Sequence, residues 1–179
     1  MNYFIQSLTY FRIVIAPIIF ILIVSDFYGW ALLFTFVASF SDFWDGYLAR
    51  RFKLESTLGG ILDPIADKIL LTFLILSLSV EISSSYMGFI GGLILIREFW
   101  VSALRQINAR NNNEDATKVS FLAKSKTFIQ FLSLTTILLG LYISSPLVLL
   151  LGNFMLMLSV LITLKTGLDY TVKTFSAMK

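Results

Sequence analysis

Four aspartates carry most of the chemistry open to this sequence. Asp42 and Asp45 are three residues apart, and Asp63 and Asp67 are four apart, so each pair shares one face of a helix. Arg50 follows Asp42 by eight residues, and Gly59 precedes Asp67 by eight. At 1.5 Å per residue, Asp42 and Asp67 each lie roughly 12 Å in from the turn between their helices, with Asp45 and Asp63 shallower. Two adjacent antiparallel helices would therefore face four carboxylates into one cluster. Such hard oxygen donors suit divalent cations such as Mg²⁺, Mn²⁺ or Ca²⁺. The chain has no Cys and no His, which removes thiolate or imidazole zinc sites and Cys- or Ser-His-type nucleophiles.

The elements that must position these groups are apolar. Of the 179 residues, 57% are hydrophobic and 14% charged, where a soluble domain carries about a quarter charged. Apolar stretches near the roughly 20 residues of a bilayer span fill the chain. This predicts an all-α integral membrane protein, one domain over residues 1–179. Six helical spans are expected at about 5–24, 29–50, 60–81, 86–108, 119–141 and 146–168, the last continuing as a frayed tail. Residues 1–24 lack the basic start and small-residue cleavage site of a signal peptide, and are read as mature structure. The connections near 25–28, 82–85 and 142–145 are short and hold no Lys or Arg. Those at 50–59 and 108–118 carry Arg50, Arg51, Lys53, Arg110 and Lys118, and Lys173 and Lys179 lie near the C-terminus. The positive-inside rule then puts both termini and both basic connections in the cytoplasm.

Each aspartate inside a span costs roughly 2.5–3.5 kcal/mol, and crowding four adds repulsion. A structural role paired with Arg50, Arg51 and Lys68 would suit a single acid near a span end, but not four at mirrored spacing. A cation channel or transporter is the rival from another class, and it predicts acids at several depths. Here the span-embedded aspartates crowd one end of two helices, as a site requires. Gly46 and Gly59 leave the backbone bare beside the carboxylates. Pro64 is expected in the first turn of its helix, where the missing N–H costs nothing. Gly88 and Gly92 form a small-xxx-small pair suited to close helix approach. Arg97 lies mid-span and needs a partner. Arg105, eight residues on, shares its face, whereas Glu98 is expected on a different one. Lys124 and Lys126 begin the fifth span, where snorkelling to the interface is the plain alternative to ligand binding.

Asp42, Asp45, Gly46, Ala49, Arg50, Gly59, Asp63 and Asp67 together resemble the signature of the CDP-alcohol phosphotransferase family. That signature is Asp-x-x-Asp-Gly-x-x-Ala-Arg, then eight residues, Gly, three residues, Asp, three residues and Asp. Further blocks look like those of bacterial phosphatidylglycerophosphate synthases: Leu8 to Arg12 with Pro17, Leu62 to Lys68, Arg97-Glu98 with Ser102 to Arg105, and Lys124 to Thr127. They cover residues 8–127. One departure is Gln6, where the family usually has Asn. The last span carries no recognised motif.

The resemblance implies a six-helix membrane fold, a homodimer, and a polar cavity open to the cytoplasmic face of the plasma (bacterial inner) membrane. It implies CDP-diacylglycerol as donor and sn-glycerol 3-phosphate as acceptor, with phosphatidylglycerophosphate and CMP as products. Mg²⁺ (or Mn²⁺) is the implied cofactor, and no nucleic acid is expected as a partner. Asp42, Asp45, Asp63 and Asp67 would hold metal, with Asp67 also the base that takes the acceptor's proton. Thr9, Gly46, Arg50, Ser56 and Gly59 would hold the CDP-lipid. Arg97, Arg105, Lys124 and Lys126 would clamp the acceptor phosphate. Cardiolipin, phosphatidylserine and inositol-phosphate lipid synthases share the aspartates and differ in the acceptor pocket.

Overall fold

A computed structural model describes residues 2–52, 57–111 and 121–177. Within them, the side chains of residues 2–6, 8, 42–52, 57–61 and 121–124 lie outside the description. Among the described residues there are six helices and no strand: α1 (Asn2–Val24), α2 (Tyr28–Phe52), α3 (Thr57–Glu81), α4 (Ser85–Arg110), α5 (Phe121–Tyr142) and α6 (Pro146–Ala177). All six expected helices are present. The last does not fray but runs on to Ala177. Pro64 falls eight positions into α3, not in its first turn, so it removes one intrahelical hydrogen bond from the second turn. Asn108, expected in a connection, is a buried residue of α4.

Three tight connections share one construction. Asp26, Ser83 and Ser144 each adopt positive φ (64°, 50° and 51°). The next residue's N–H then reaches back five residues: Phe27 to Leu22 at 2.9 Å, Ser84 to Ser79 at 3.2 Å, and Ser145 to Gly140 at 3.0 Å. These bonds satisfy carbonyls that a helix end leaves open. The Ser84 side chain then caps α4 by accepting from the Met87 N–H at 3.2 Å. Each pair α1–α2, α3–α4 and α5–α6 is thereby an antiparallel hairpin.

α1 packs against α2 and α3, α3 against α4 and α5, α2 against α5, and both α4 and α5 against α6. At the α3–α4 contact the close approach is made by Gly91. A Cβ there would fall 2.0 Å from Ile75 Cγ2. Of the expected pair, Gly88 also sits close, with such an atom 3.0 Å from Ser79 Oγ, whereas Gly92 has nothing within 4 Å of one.

The core between Ile19, Leu74, Ile94 and Leu138 is apolar. Alongside it are buried polar groups, including Thr9, Arg12, Arg97, Asn108, Lys126 and Gln130. The outside is strongly apolar on every helix, with Ile21, Phe36, Val80, Phe89, Phe128 and Leu150 among the exposed side chains. By length and composition α4 and α6 are each apolar enough to cross a bilayer, and α1 and α2 hold shorter apolar stretches, Thr9–Val24 and Tyr28–Ser41.

Candidate active site

The site begins where α1 crosses α3. Thr9 and Arg12 are three residues apart on α1, and Asp63 and Asp67 four apart on α3, so two short stripes meet. The Thr9 hydroxyl donates to Asp63 Oδ1 at 2.6 Å. Arg12 donates through Nη2 to the same Oδ1 at 3.2 Å, and through Nη1 to Asp67 Oδ1 at 2.5 Å. One guanidinium thus gathers both carboxylates. Arg12 is fully buried, while the two aspartates keep 37% and 36% of their side-chain surface. A fully buried cation needs such partners, and the open sides of the carboxylates remain accessible to a ligand.

Arg12 belongs to the opening block of the sequence reading but had no role there. Its contacts lie 51 and 55 residues away along the chain, and only the packing of α1 on α3 makes them. Thr9, expected among the residues that hold the CDP-lipid, stands beside Asp63. Asp42, Asp45, Gly46, Arg50, Gly59 and Lys124 lie outside the described side chains, as does Gln6, and Ser56 lies outside the described residues. The described half of the tetrad is therefore Asp63 and Asp67, and among the described residues no group of three carboxylates gathers.

Asp67 also lines a cavity of about 280 Å³ enclosed by α3, α4 and α5, near the lower end of ligand-pocket sizes. Lys68, Arg97, Arg105 and Lys126 line the same cavity, with Glu98 and Gln130. Three of the four expected phosphate-binding cations therefore surround one chamber with Asp67 on its wall. Lys68 donates to the Ser102 hydroxyl, which in turn donates to the Glu98 carbonyl at 2.8 Å.

The cations are held in ways that sequence spacing did not anticipate. Arg97 Nη1 donates to Glu98 Oε1 at 3.0 Å, so neighbouring residues expected on different faces do pair. Both side chains are long enough to curl toward each other from adjacent positions. Lys126 donates to the same Glu98 oxygen and is buried. It does not snorkel. Arg97 Nη2 donates to the Thr166 hydroxyl on α6 at 2.7 Å. Arg105 Nη2 donates to the Tyr170 hydroxyl at 3.1 Å, and its guanidinium carbon lies 5.2 Å from the centre of that ring. The Nε groups of Arg97 and Arg105 are buried with no hydrogen-bond partner among the described residues. Unpaired buried donors are costly, and that of Arg97 is pressed against α6, where a Cβ on Gly167 would fall 3.3 Å from it.

Comparison with known proteins shows the family. The family model described as CDP-alcohol phosphatidyltransferase matches residues 6–165. A protein of Blochmanniella floridana is 38% identical over 134 residues, 73% of this chain and 70% of that one. One of Rickettsia bellii (strain RML369-C) is 40% identical over 141 residues, 78% of this chain and 75% of that one. One of Salmonella choleraesuis (strain SC-B67) is 31% identical over 136 residues, covering 73% and 74%. All three are named CDP-diacylglycerol–glycerol-3-phosphate 3-phosphatidyltransferase. With most of its length matched, this chain belongs to the CDP-alcohol phosphatidyltransferase family.

Proposed function

We propose that the protein transfers the phosphatidyl group of CDP-diacylglycerol to sn-glycerol 3-phosphate, releasing CMP and forming phosphatidylglycerophosphate. One observation carries the choice of acceptor. Asp67 shares its chamber with Lys68, Arg97, Arg105 and Lys126, against one further carboxylate among the described lining residues, Glu98. An acceptor bearing a phosphate matches those cations, and Arg offers phosphate a planar fork of donors. A neutral alcohol would bring no anion to balance their excess over Asp67 and Glu98. The relatives' shared name supports the same reaction.

The donor set fits a hard divalent cation. Asp63 and Asp67 are drawn together by one guanidinium and stay about a third exposed, and the chain has no softer Cys or His ligand. Asp42, Asp45, Asp63 and Asp67 would hold Mg²⁺ or Mn²⁺. Bound there, the cation would draw charge from the phosphoryl oxygens and from the departing CMP. Asp67 takes the proton from the acceptor hydroxyl. The acceptor oxygen then bonds to the phosphorus that carries diacylglycerol, and the bond from that phosphorus to CMP breaks. Thr9, Gly46, Arg50, Ser56 and Gly59 hold the CDP group, while Arg97, Arg105, Lys124 and Lys126 hold the acceptor phosphate. Thr9 is fitted to this by its bond to Asp63, which sets the nucleotide side of the site against the metal side.

The wider setting follows from the same reading. All six helices cross the membrane as one domain over residues 1–179, with both termini and the site facing the cytoplasm, in a homodimer of the plasma (bacterial inner) membrane. The apolar exterior on every helix supports this, as does the confinement of Lys and Arg to alternate connections.

Steady-state kinetics of Arg105→Gln test the acceptor assignment. The apparent KM for glycerol 3-phosphate should rise by about tenfold or more, the worth of one lost charge-assisted hydrogen bond. The KM for CDP-diacylglycerol should stay within about twofold of wild type. Equal rises for both substrates would remove Arg105 from the acceptor site.

A further inference from the structure

The last helix carries no recognised motif, and from Thr166 onward it lies past the stretch that the family model matches. Yet its buried stripe, Thr163, Thr166, Gly167, Tyr170 and Thr174, faces the chamber's arginines. We infer that α6 is the positioning scaffold of the acceptor-phosphate cations, with Thr166 and Tyr170 orienting Arg97 and Arg105 through uncharged hydroxyl groups. The inference deepens the proposed function and rests on it for the identity of the ligand.

The hydroxyl of Thr166 donates into its own helix, with the Ile162 carbonyl at 2.9 Å and the Thr163 carbonyl at 3.0 Å. Its lone pairs are left to accept from Arg97 Nη2 at 2.7 Å. Tyr170, four residues on and thus on the same face, does the equivalent for Arg105 with its hydroxyl and its ring. Among the described residues Arg105 has no carboxylate partner, so Tyr170 alone orients it. The backbone of α6 presses just as closely on Arg97. A Cβ on Gly167 would fall 3.0 Å from Arg97 Cγ and 3.3 Å from Nε.

The use of hydroxyls has an electrostatic consequence. A carboxylate partner would orient an arginine and also cancel its charge, whereas a hydroxyl orients it and leaves the charge in place. Among the described residues the other carboxylate lining the chamber besides Asp67 is Glu98, and it is shared by Arg97 and Lys126. Among the described lining residues, Lys68, Arg97, Arg105 and Lys126 stand against Asp67 and Glu98, a surplus of two positive charges. That surplus complements a phosphate monoester dianion. Holding it in a low-dielectric chamber requires rigid neutral partners, because a free arginine would swing to the nearest acid.

The test uses the full-length protein in lipid nanodiscs, comparing wild type with Thr166→Val, Thr166→Ser and Tyr170→Phe. Thr166→Val and Tyr170→Phe remove one hydroxyl each with little change in volume. Both should raise the KM for glycerol 3-phosphate about tenfold, since each removes a hydrogen bond to a charged group. The kcat and the KM for CDP-diacylglycerol should stay within about twofold. Thr166→Ser, which keeps the hydroxyl, should restore the wild-type KM. Calorimetric titration with glycerol 3-phosphate should show the same tenfold weakening without any turnover. Thr166→Val and Tyr170→Phe with unchanged KM, beside an active wild type, would overturn the inference and leave the activity standing. So would parallel losses for both substrates, or Thr166→Ser behaving like Thr166→Val. A wild type that binds glycerol 3-phosphate without transferring to it, with variants that bind tenfold more weakly, would overturn the activity and uphold the positioning role. A wild type that neither binds nor transfers would overturn both.

Discussion

Asp67→Asn is expected to lose about 10²–10⁴-fold in turnover, the usual worth of a general base, while still binding CDP-diacylglycerol. The amide nearly keeps the carboxylate's volume and can still accept from Arg12 Nη1, which lies 2.5 Å from Asp67 Oδ1. Arg12 also keeps its bond to Asp63 at 3.2 Å, so the α1–α3 crossing holds. What the amide cannot do is accept the proton of the acceptor hydroxyl. The position on the chamber wall, opposite the cations of α4 and α5, is where that hydroxyl must arrive. A thermal unfolding profile close to wild type would separate lost chemistry from lost fold. Retention of more than about half the wild-type rate at saturating substrates would take the base role away from Asp67.

The second large effect concerns the divalent cation. Turnover is expected to vanish in excess chelator and to return when Mg²⁺ or Mn²⁺ is restored. The reason lies in the charge balance. In the proposed site four aspartates and a diphosphate donor would repel one another, and Arg12 offsets only part of this at Asp63 and Asp67. Asp42→Asn and Asp63→Asn should each raise the metal concentration needed for half-maximal rate, since each removes a charged ligand. Asp63→Asn should do so without unseating Thr9, because an amide oxygen still accepts from its hydroxyl. Full turnover in chelator would contradict the metal-dependent account.

How much of this was legible in the sequence depends on the range of the interaction. The carboxylate stripe of Asp63 and Asp67 follows from spacing on one helix, and it lies as expected on one face. The six helices follow from hydropathy, with ends shifted by up to a few residues and α6 longer than expected. Arg12 was not legible as the partner of both aspartates, because nothing local distinguishes an arginine that reaches 51 residues ahead. Glu98 was misjudged because facing rules describe Cβ directions, whereas Arg97 and Glu98 are long enough to meet from adjacent positions. Gly92 was preferred to Gly91 on a four-residue motif, and the packing of Ile75 decides otherwise. In α6 the sequence shows no recognised motif, and its threonines carried no assignment. The signal that could have found their role is the spacing of Thr163, Thr166, Tyr170 and Thr174 along one face. Each accepts from a polar side chain of α4 or α5: Gln130, Arg97, Arg105 and Asn108 respectively.

The most direct test of the central claim offers the purified, lipid-reconstituted protein CDP-diacylglycerol, Mg²⁺ and one acceptor at a time, and identifies the lipid formed. The acceptors are sn-glycerol 3-phosphate, serine, inositol phosphate and phosphatidylglycerol. The account predicts phosphatidylglycerophosphate with stoichiometric CMP from glycerol 3-phosphate, and little or no product from the other three. A faster product from serine, inositol phosphate or phosphatidylglycerol, or no transfer to glycerol 3-phosphate, would contradict it.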